Sequence, residues 1–189
     1  MYRELSLKIT GVAPLILHNG QTADPLNPHS KSIAEITSKR KKTDADHLEV
    51  AKREWHAGLY LSGGRVCIPS EMIEANLVNG AKKQKRGPDA KAGIIVEQHA
   101  TLRYDGPTSV EELWQDERFR IRCPVKVGTS KVIRTRPFFE KWWLIMDVKY
   151  LSELLNPQHV ISFANDGGMY VGLGDWRPRF GRYQVAEQS

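Results

Sequence analysis

The chain has 189 residues, enough to bury a sizeable core, and its 28 lysines and arginines against 22 aspartates and glutamates give a formal net charge of +6. With 40% hydrophobic and 26% charged residues the composition is that of an ordinary globular protein. No apolar run approaches the ~20 residues of a membrane span, which excludes a helical membrane protein, and the excess of positive charge favours an anionic partner.

The opening MYRELSLKITG alternates polar and apolar residues and has no signal-peptide core, so a cytoplasmic location is expected. Leu5, Leu7 and Ile9 define the inward face of a first strand. APLILHNG extends it and closes at Asn19-Gly20. Residues 19–46, with two prolines, little periodicity and the block Lys39, Arg40, Lys41, Lys42, read as a long loop or flexible insertion with a short helical piece near Ile33–Thr37. Residues 47–61 read as mainly helical. RVCIPS is a short strand, and Ser70 is expected to cap the helix EMIEANLVNGAKKQK. Its Glu71 and Glu74 at the start, and its Lys82, Lys83 and Lys85 at the end, suit the helix dipole.

GIIVEQHATLRY reads as a strand and SVEELWQDE as a short acidic helix. RFRIRC alternates, with Phe119, Ile121 and Cys123 on one face and Arg118, Arg120 and Arg122 on the other. A hairpin around Gly-Thr-Ser follows and adds Arg134 and Arg136. Residues 138–150 form a strand with Trp142, Leu144, Met146 and Val148 on one face and Trp143 opposite, the latter expected in a second core layer. Asn156-Pro157 starts a helix, PQHVISFAND, that ends at Gly167-Gly168. GRYQV is the last strand. This order predicts an α+β fold, an antiparallel sheet with helices on one face.

Cys67 and Cys123, the only cysteines, lie in apolar runs and read as buried free thiols. No Cys/His cluster has zinc spacing, and neither metal nor cofactor is expected. The stretch VGLGDWRPRFGRYQV combines Gly172, Gly174 and Gly181 with Arg177, Arg179, Arg182 and Trp176. Glycine backbone can approach a phosphate and aim N–H groups at it, arginines neutralise charge, and a tryptophan stacks on a base. Lys82, Lys83, Lys85 and Arg86 form a further basic block at a helix end.

With the elements in this order the chain resembles the RAMP superfamily, the ferredoxin-like RNA-binding proteins of CRISPR systems. The first strand with its long insertion, the strand-to-helix junction IPSEMIEANLVNGAK and the glycine-rich stretch before the closing strand carry the resemblance, which is nearest to the guide-binding backbone subunits. It implies a single ferredoxin-like, RRM-like domain over residues 1–189 with residues 19–46 as a thumb-like insertion. It also implies binding of single-stranded RNA and head-to-tail assembly of copies along the strand. In such families a histidine near the position of His18 can act as general acid or base, and an aspartate of an early loop, here Asp24, Asp44 or Asp46, can cut RNA with a divalent metal.

The reading that follows is non-catalytic binding of single-stranded nucleic acid, RNA or ssDNA, along a basic groove. Two alternatives stay open: a metal-dependent or histidine-assisted endoribonuclease, and an interaction protein that docks on a nucleoprotein complex.

Overall fold

The computed structural model describes residues 1–187. Its elements are β1 (Tyr2–Gly11), β2 (Leu15–Ile16), α1 (Pro28–Thr37), α2 (Asp44–Gly58), β3 (Leu61–Ser62), β4 (Arg65–Ile68), α3 (Ser70–Lys83), α4 (Gly87–Gly93), β5 (Ile94–Ile95) and β6 (Ala100–Thr101). They continue with α5 (Val110–Gln115), β7 (Arg120–Val127), β8 (Ser130–Phe139), β9 (Trp143–Leu151), α6 (Pro157–Asp166) and β10 (Tyr183–Glu187). The fold is mixed α+β, and its main sheet is antiparallel with the order β10-β1-β9-β5. Two smaller sheets have the orders β2-β8-β7 and β3-β4-β6.

Register explains the core. Ile9 lies opposite Leu144, Leu7 opposite Met146 and Leu5 opposite Val148. The two-residue period of the strands therefore sends one apolar set inward. That set shares a hydrophobic core with Leu77 of α3 and Val160 and Phe163 of α6. The opposite face carries Lys8, Thr10, Trp143 and Ile145. Trp143 is 37% exposed there, with the Lys8 ammonium 4.8 Å from its ring centre, so it does not enter a second core layer. Its neighbour Trp142 takes the inward position and donates from Nε1 to the Ala13 carbonyl at 2.9 Å.

Several expected elements differ in detail. Residues 138–150 are not one strand: Phe138 and Phe139 finish β8, the chain turns at 140–142, and β9 begins at Trp143. GIIVEQHATLRY splits into β5 and β6 because the Val96 N–H donates to the Glu74 carboxylate at 2.6 Å instead of joining a ladder. Ser70 is the first helical residue of α3 and not its cap; Pro69 holds that place, and the Ser70 N–H donates to His99 Nδ1 at 3.1 Å.

The segment 19–46 is more ordered in secondary structure than the sequence suggested. Asn27 caps α1 by accepting from the His29 N–H at 2.9 Å, and Pro28 is its first residue, so the helix starts five residues before the short piece expected. Thr43 and Asp46 form a reciprocal capping box at the start of α2. Arg53 of α2 donates to the Ser32 carbonyl of α1 and pairs with Glu35, tying the two helices together.

α3 and α6 meet at Gly80, where a Cβ would stand 2.1 Å from the Phe163 carbonyl oxygen. The contact is to backbone, so no rotamer change relieves it. Gly80→Ala is expected to cost about 2–3 kcal/mol and to lower the melting temperature by about 5–10 °C in a thermal scan.

Candidate nucleic-acid interface

The glycine-rich stretch begins where α6 runs into a π-helical turn, Gly167–Val171. Asn76, 1% exposed on α3, holds this region from beneath. Its Nδ2 donates to the Gly172 carbonyl at 2.8 Å and to the Gly167 carbonyl at 3.2 Å, and its Oδ1 accepts from the Tyr183 hydroxyl at 2.7 Å. The loop is then stitched to the segment before α1. The Asp175 N–H donates to the Ile16 carbonyl at 2.8 Å, the Gly181 N–H to the Pro14 carbonyl at 2.8 Å, and the Leu173 N–H to the Gly181 carbonyl at 2.9 Å.

These bonds correct the role expected of the glycines. The Gly172 N–H is taken by the Gly167 carbonyl at 2.8 Å, and the Gly174 N–H points at Met72 Sδ at 3.4 Å. Neither is free for a phosphate. Gly174 sits at φ +74°, and a Cβ there would stand 2.2 Å from the Ile16 carbonyl oxygen. Glycine is required so that the loop can lie against β2.

This anchoring leaves residues 176–179 on the surface. Residues 174–178 form one wall of an open cleft of about 690 Å³, whose other wall is the end of α3 and the π-helical turn. Asn79, Lys82, Lys83, Tyr170, Trp176 and Arg177 line it. The Trp176 ring is 40% exposed and Tyr170 is 53% exposed. Trp176 also adopts φ +53°, a left-handed conformation in which a bulky residue is an outlier, and its ring centre lies 6.1 Å from that of Phe180. The Lys83 ammonium lies 5.9 Å from the Tyr170 ring centre, and Lys82 donates to Asn79 Oδ1 at 2.9 Å. Among the described residues no ion pair involves Lys82, Lys83, Lys85, Arg177, Arg179 or Arg182. Tyr170 was not singled out from sequence; its signal is two large apolar residues, Met169 and Tyr170, directly after a glycine pair.

The remaining basic residues are engaged differently. RFRIRC does not offer an all-arginine strand face, because Arg118 lies in a 3₁₀ turn before β7 and pairs with Asp116 at 2.6 Å. Arg120 pairs with Glu117 at 2.7 Å, donates to the Trp114 carbonyl and stacks over the Trp114 ring. Arg134 pairs with buried Glu54, whose other oxygen accepts the Thr135 N–H at 3.1 Å. Arg136 faces Asp175 at 3.9 Å. Arg86 is a structural clamp, held by Asp89, His159 and the Leu154 carbonyl. Lys39 pairs with Asp46, and Lys42 donates to the Lys39 carbonyl, while Arg40 and Lys41 are exposed. Arg122 is also exposed, in a separate groove of about 840 Å³ that mixes Lys42 and Arg120 with Asp44, Glu54 and Glu117. The groove and the cleft share no lining residue, so the basic blocks do not merge into one continuous channel within the chain.

The candidate acidic residues are also dispersed. Asp24 closes a local turn by accepting the Leu26 N–H at 2.8 Å, and Asp44 opens α2. Asp46 is held down to about 2 by the Lys39 hydrogen bond and the Thr43 backbone. Among the described residues no group of three His, Cys, Asp or Glu side chains stands close enough to hold a metal ion. No helix there is long and apolar enough to cross a membrane. No protein-family model matches the chain, and no curated protein matches it.

His18 and His56 are half-buried, and burial, reinforced by Arg136 at His18 and by Lys52 at His56, holds both below the usual 6.5. Below that pH the unfolded chain takes up protons that the folded chain resists, so stability present near neutrality is lost as pH falls from about 6.5 through the folded values. The carboxylates held low by their partners, Asp46, Glu111, Asp116 and Glu153, act further down, below about 4.5. Melting temperature should fall between about pH 7 and pH 5, and the His18→Gln/His56→Gln double variant should flatten that slope; an unchanged slope would assign it to other groups.

Proposed function

We propose that this protein binds single-stranded nucleic acid without cutting it, with RNA the favoured ligand, through the cleft between α3 and the glycine-rich loop. The observation that carries this reading is the meeting of two exposed rings, Tyr170 and Trp176, with Lys82, Lys83 and Arg177, cations that have no acidic partner among the described residues. Bases stack on such rings whatever their identity, and lysine and arginine neutralise the phosphates between them. A duplex hides its base faces, so the rings favour a single strand.

The preference for RNA comes from the RAMP resemblance. The sheet order supports that resemblance. With β1, α3, β5, β9, α6 and β10 taken as a βαββαβ succession, β10-β1-β9-β5 is the strand order of a ferredoxin-like sheet. Assembly of copies along a strand belongs to the same reading, and the apolar residues Val127 and Ile133, exposed on the β7–β8 hairpin, offer a surface for a neighbouring copy.

Fluorescence anisotropy with labelled ssRNA, ssDNA and duplex tests the reading. With about three phosphates held by Lys82, Lys83 and Arg177, affinity for a single strand should fall about twentyfold between about 50 and 200 mM salt. Trp176→Gly removes the ring and relieves the positive φ, so it should lower affinity about tenfold while leaving the melting temperature nearly unchanged. A flat salt response, a preference for duplex, or full affinity in Trp176→Gly would refute the cleft as the binding site.

A further inference from the structure

A second cavity, of about 390 Å³, lies between α1, the end of α2 and the β7–β8 hairpin. His18, Asn19, Ser30, Thr37, Arg134 and Arg136 are among its lining residues. Two of its nitrogens, His18 Nδ1 and Arg136 Nε, are buried with no hydrogen-bond partner among the described residues. Buried polar atoms in folded proteins are nearly always partnered, so two unpartnered nitrogens on residues that line one cavity point to a partner from outside the chain.

Arg136 is the sharper case. Its side chain is only 14% exposed, and Asp175 stands 3.9 Å away, beyond hydrogen-bond reach. Its neighbour two residues back shows what a satisfied arginine looks like here, since Arg134 is matched by the Glu54 carboxylate, itself bonded to the Thr135 N–H. A guanidinium carries five N–H donors in a planar fork, and burying a charged donor unmatched is costly. The natural counterpart is a compact anion with several acceptor oxygens. Phosphate has that geometry, and the Thr37 hydroxyl is a further donor in the lining; the Ser30 hydroxyl is committed to the Thr22 carbonyl, one Asn19 N–H to the Leu59 carbonyl, and the lining carboxylate of Glu54 to Arg134.

We infer that this cavity binds a phosphate group, with Arg136 as its anchor and His18 Nδ1–H as a second donor. Asp175 competes with the ligand for Arg136 through its own negative charge. The inference does not rest on strand binding at the cleft, because its anchors Arg136 and His18 do not line the cleft. The phosphate has two possible sources: the end of a nucleic-acid strand, or a free phosphate or mononucleotide.

Calorimetric titration of the whole protein with inorganic phosphate, a nucleoside 5′-monophosphate, and a short strand carrying either a 5′-phosphate or a 5′-hydroxyl separates the sources. The His18 ring signals in NMR report whether the cavity is occupied. At least one phosphate-bearing probe should bind and move the His18 signals. Arg136→Gln should weaken that binding about tenfold or more, the loss of charge-assisted hydrogen bonds, and Asp175→Asn should strengthen it. Trp176→Gly should leave inorganic phosphate binding unchanged, which separates this cavity from the cleft. A preference for the 5′-phosphorylated strand over its 5′-hydroxyl form assigns the ligand to a strand end; equal binding of those strands with tight binding of the small probes assigns it to a free phosphate. If no probe moves the His18 signals, or if folded Arg136→Gln binds as well as the parent, the inference fails. Should Arg136→Gln not fold, the His18 signals and the Asp175→Asn affinity decide, and an affinity in Asp175→Asn at or below the parent's counts against it.

Discussion

One buried amide organises the candidate interface. Asn76 reaches three places more than ninety residues along the chain from it: the turn after α6, the start of the glycine-rich loop and β10. All its bonds are made in a dry environment, where leaving any of them open would cost about 1–3 kcal/mol. The Tyr183 hydroxyl is committed to the same amide, and its deep burial pushes its pKa well up, so it stays a neutral donor at any ordinary pH. Asn76 therefore ties together the two parts of one wall of the cleft, the end of α3 and the π-helical turn, and joins them to the start of the loop that forms the other. Lys82 and Lys83 lie on the helix that carries Asn76, and Tyr170 lies on the turn that Asn76 grips.

The distribution of charge follows from how each arginine is seated. Exposed pairs such as Arg118–Asp116 hold their side chains in place but contribute little stability, and they remove those cations from any anionic partner. Arg134 and Glu54 are a different case, a partly buried pair whose members would each be costly alone. Among the described residues without an acidic partner, Lys82, Lys83, Lys85, Arg177, Arg179 and Arg182 stand at the end of α3 and on residues 177–182, while others, Arg3, Arg40, Lys41, Arg122, Lys126 and Lys131 among them, are spread over the rest of the surface. Alternation in RFRIRC could not reveal this, since the acids that claim Arg118 and Arg120 sit in the preceding turn.

What was legible in the sequence was whatever local rules decide. Alternation placed Trp142, Leu144, Met146 and Val148 inward, and Asn156-Pro157 marked the start of α6 at the right residue. The same Asn-Pro pair opens α1 at Asn27-Pro28, and there it was passed over because the segment is poor in apolar periodicity; only Ile36 of α1 is buried. The glycine-rich stretch was legible as a special backbone but not as to its cause. Gly172 and Gly174 read as ligand cradles, whereas the atoms that crowd them are the carbonyls of Phe180 and Ile16. Contacts between residues more than ninety positions apart leave no trace in local spacing, and Asn76 reads like any polar residue on a helix.

Asp175 joins the two places where an anion would be held. Its N–H is fixed to the Ile16 carbonyl at 2.8 Å, its carboxylate faces Arg136 across 3.9 Å, and the next residue, Trp176, turns its ring into the cleft. A single peptide unit thus separates the wall of the cleft from the electrostatic surroundings of the second cavity. Because the loop is pinned at Ile16 and Pro14, a change in the charge balance around Arg136 acts on a backbone that cannot drift, and the simplest response is movement of the Asp175 side chain itself. An anion at Arg136 would repel that carboxylate, and Asp175 also lines the cleft, where its negative charge opposes the phosphates that Arg177 would attract. Occupancy of one proposed site would therefore alter the field at the other through one side chain, with no shift of the fold required.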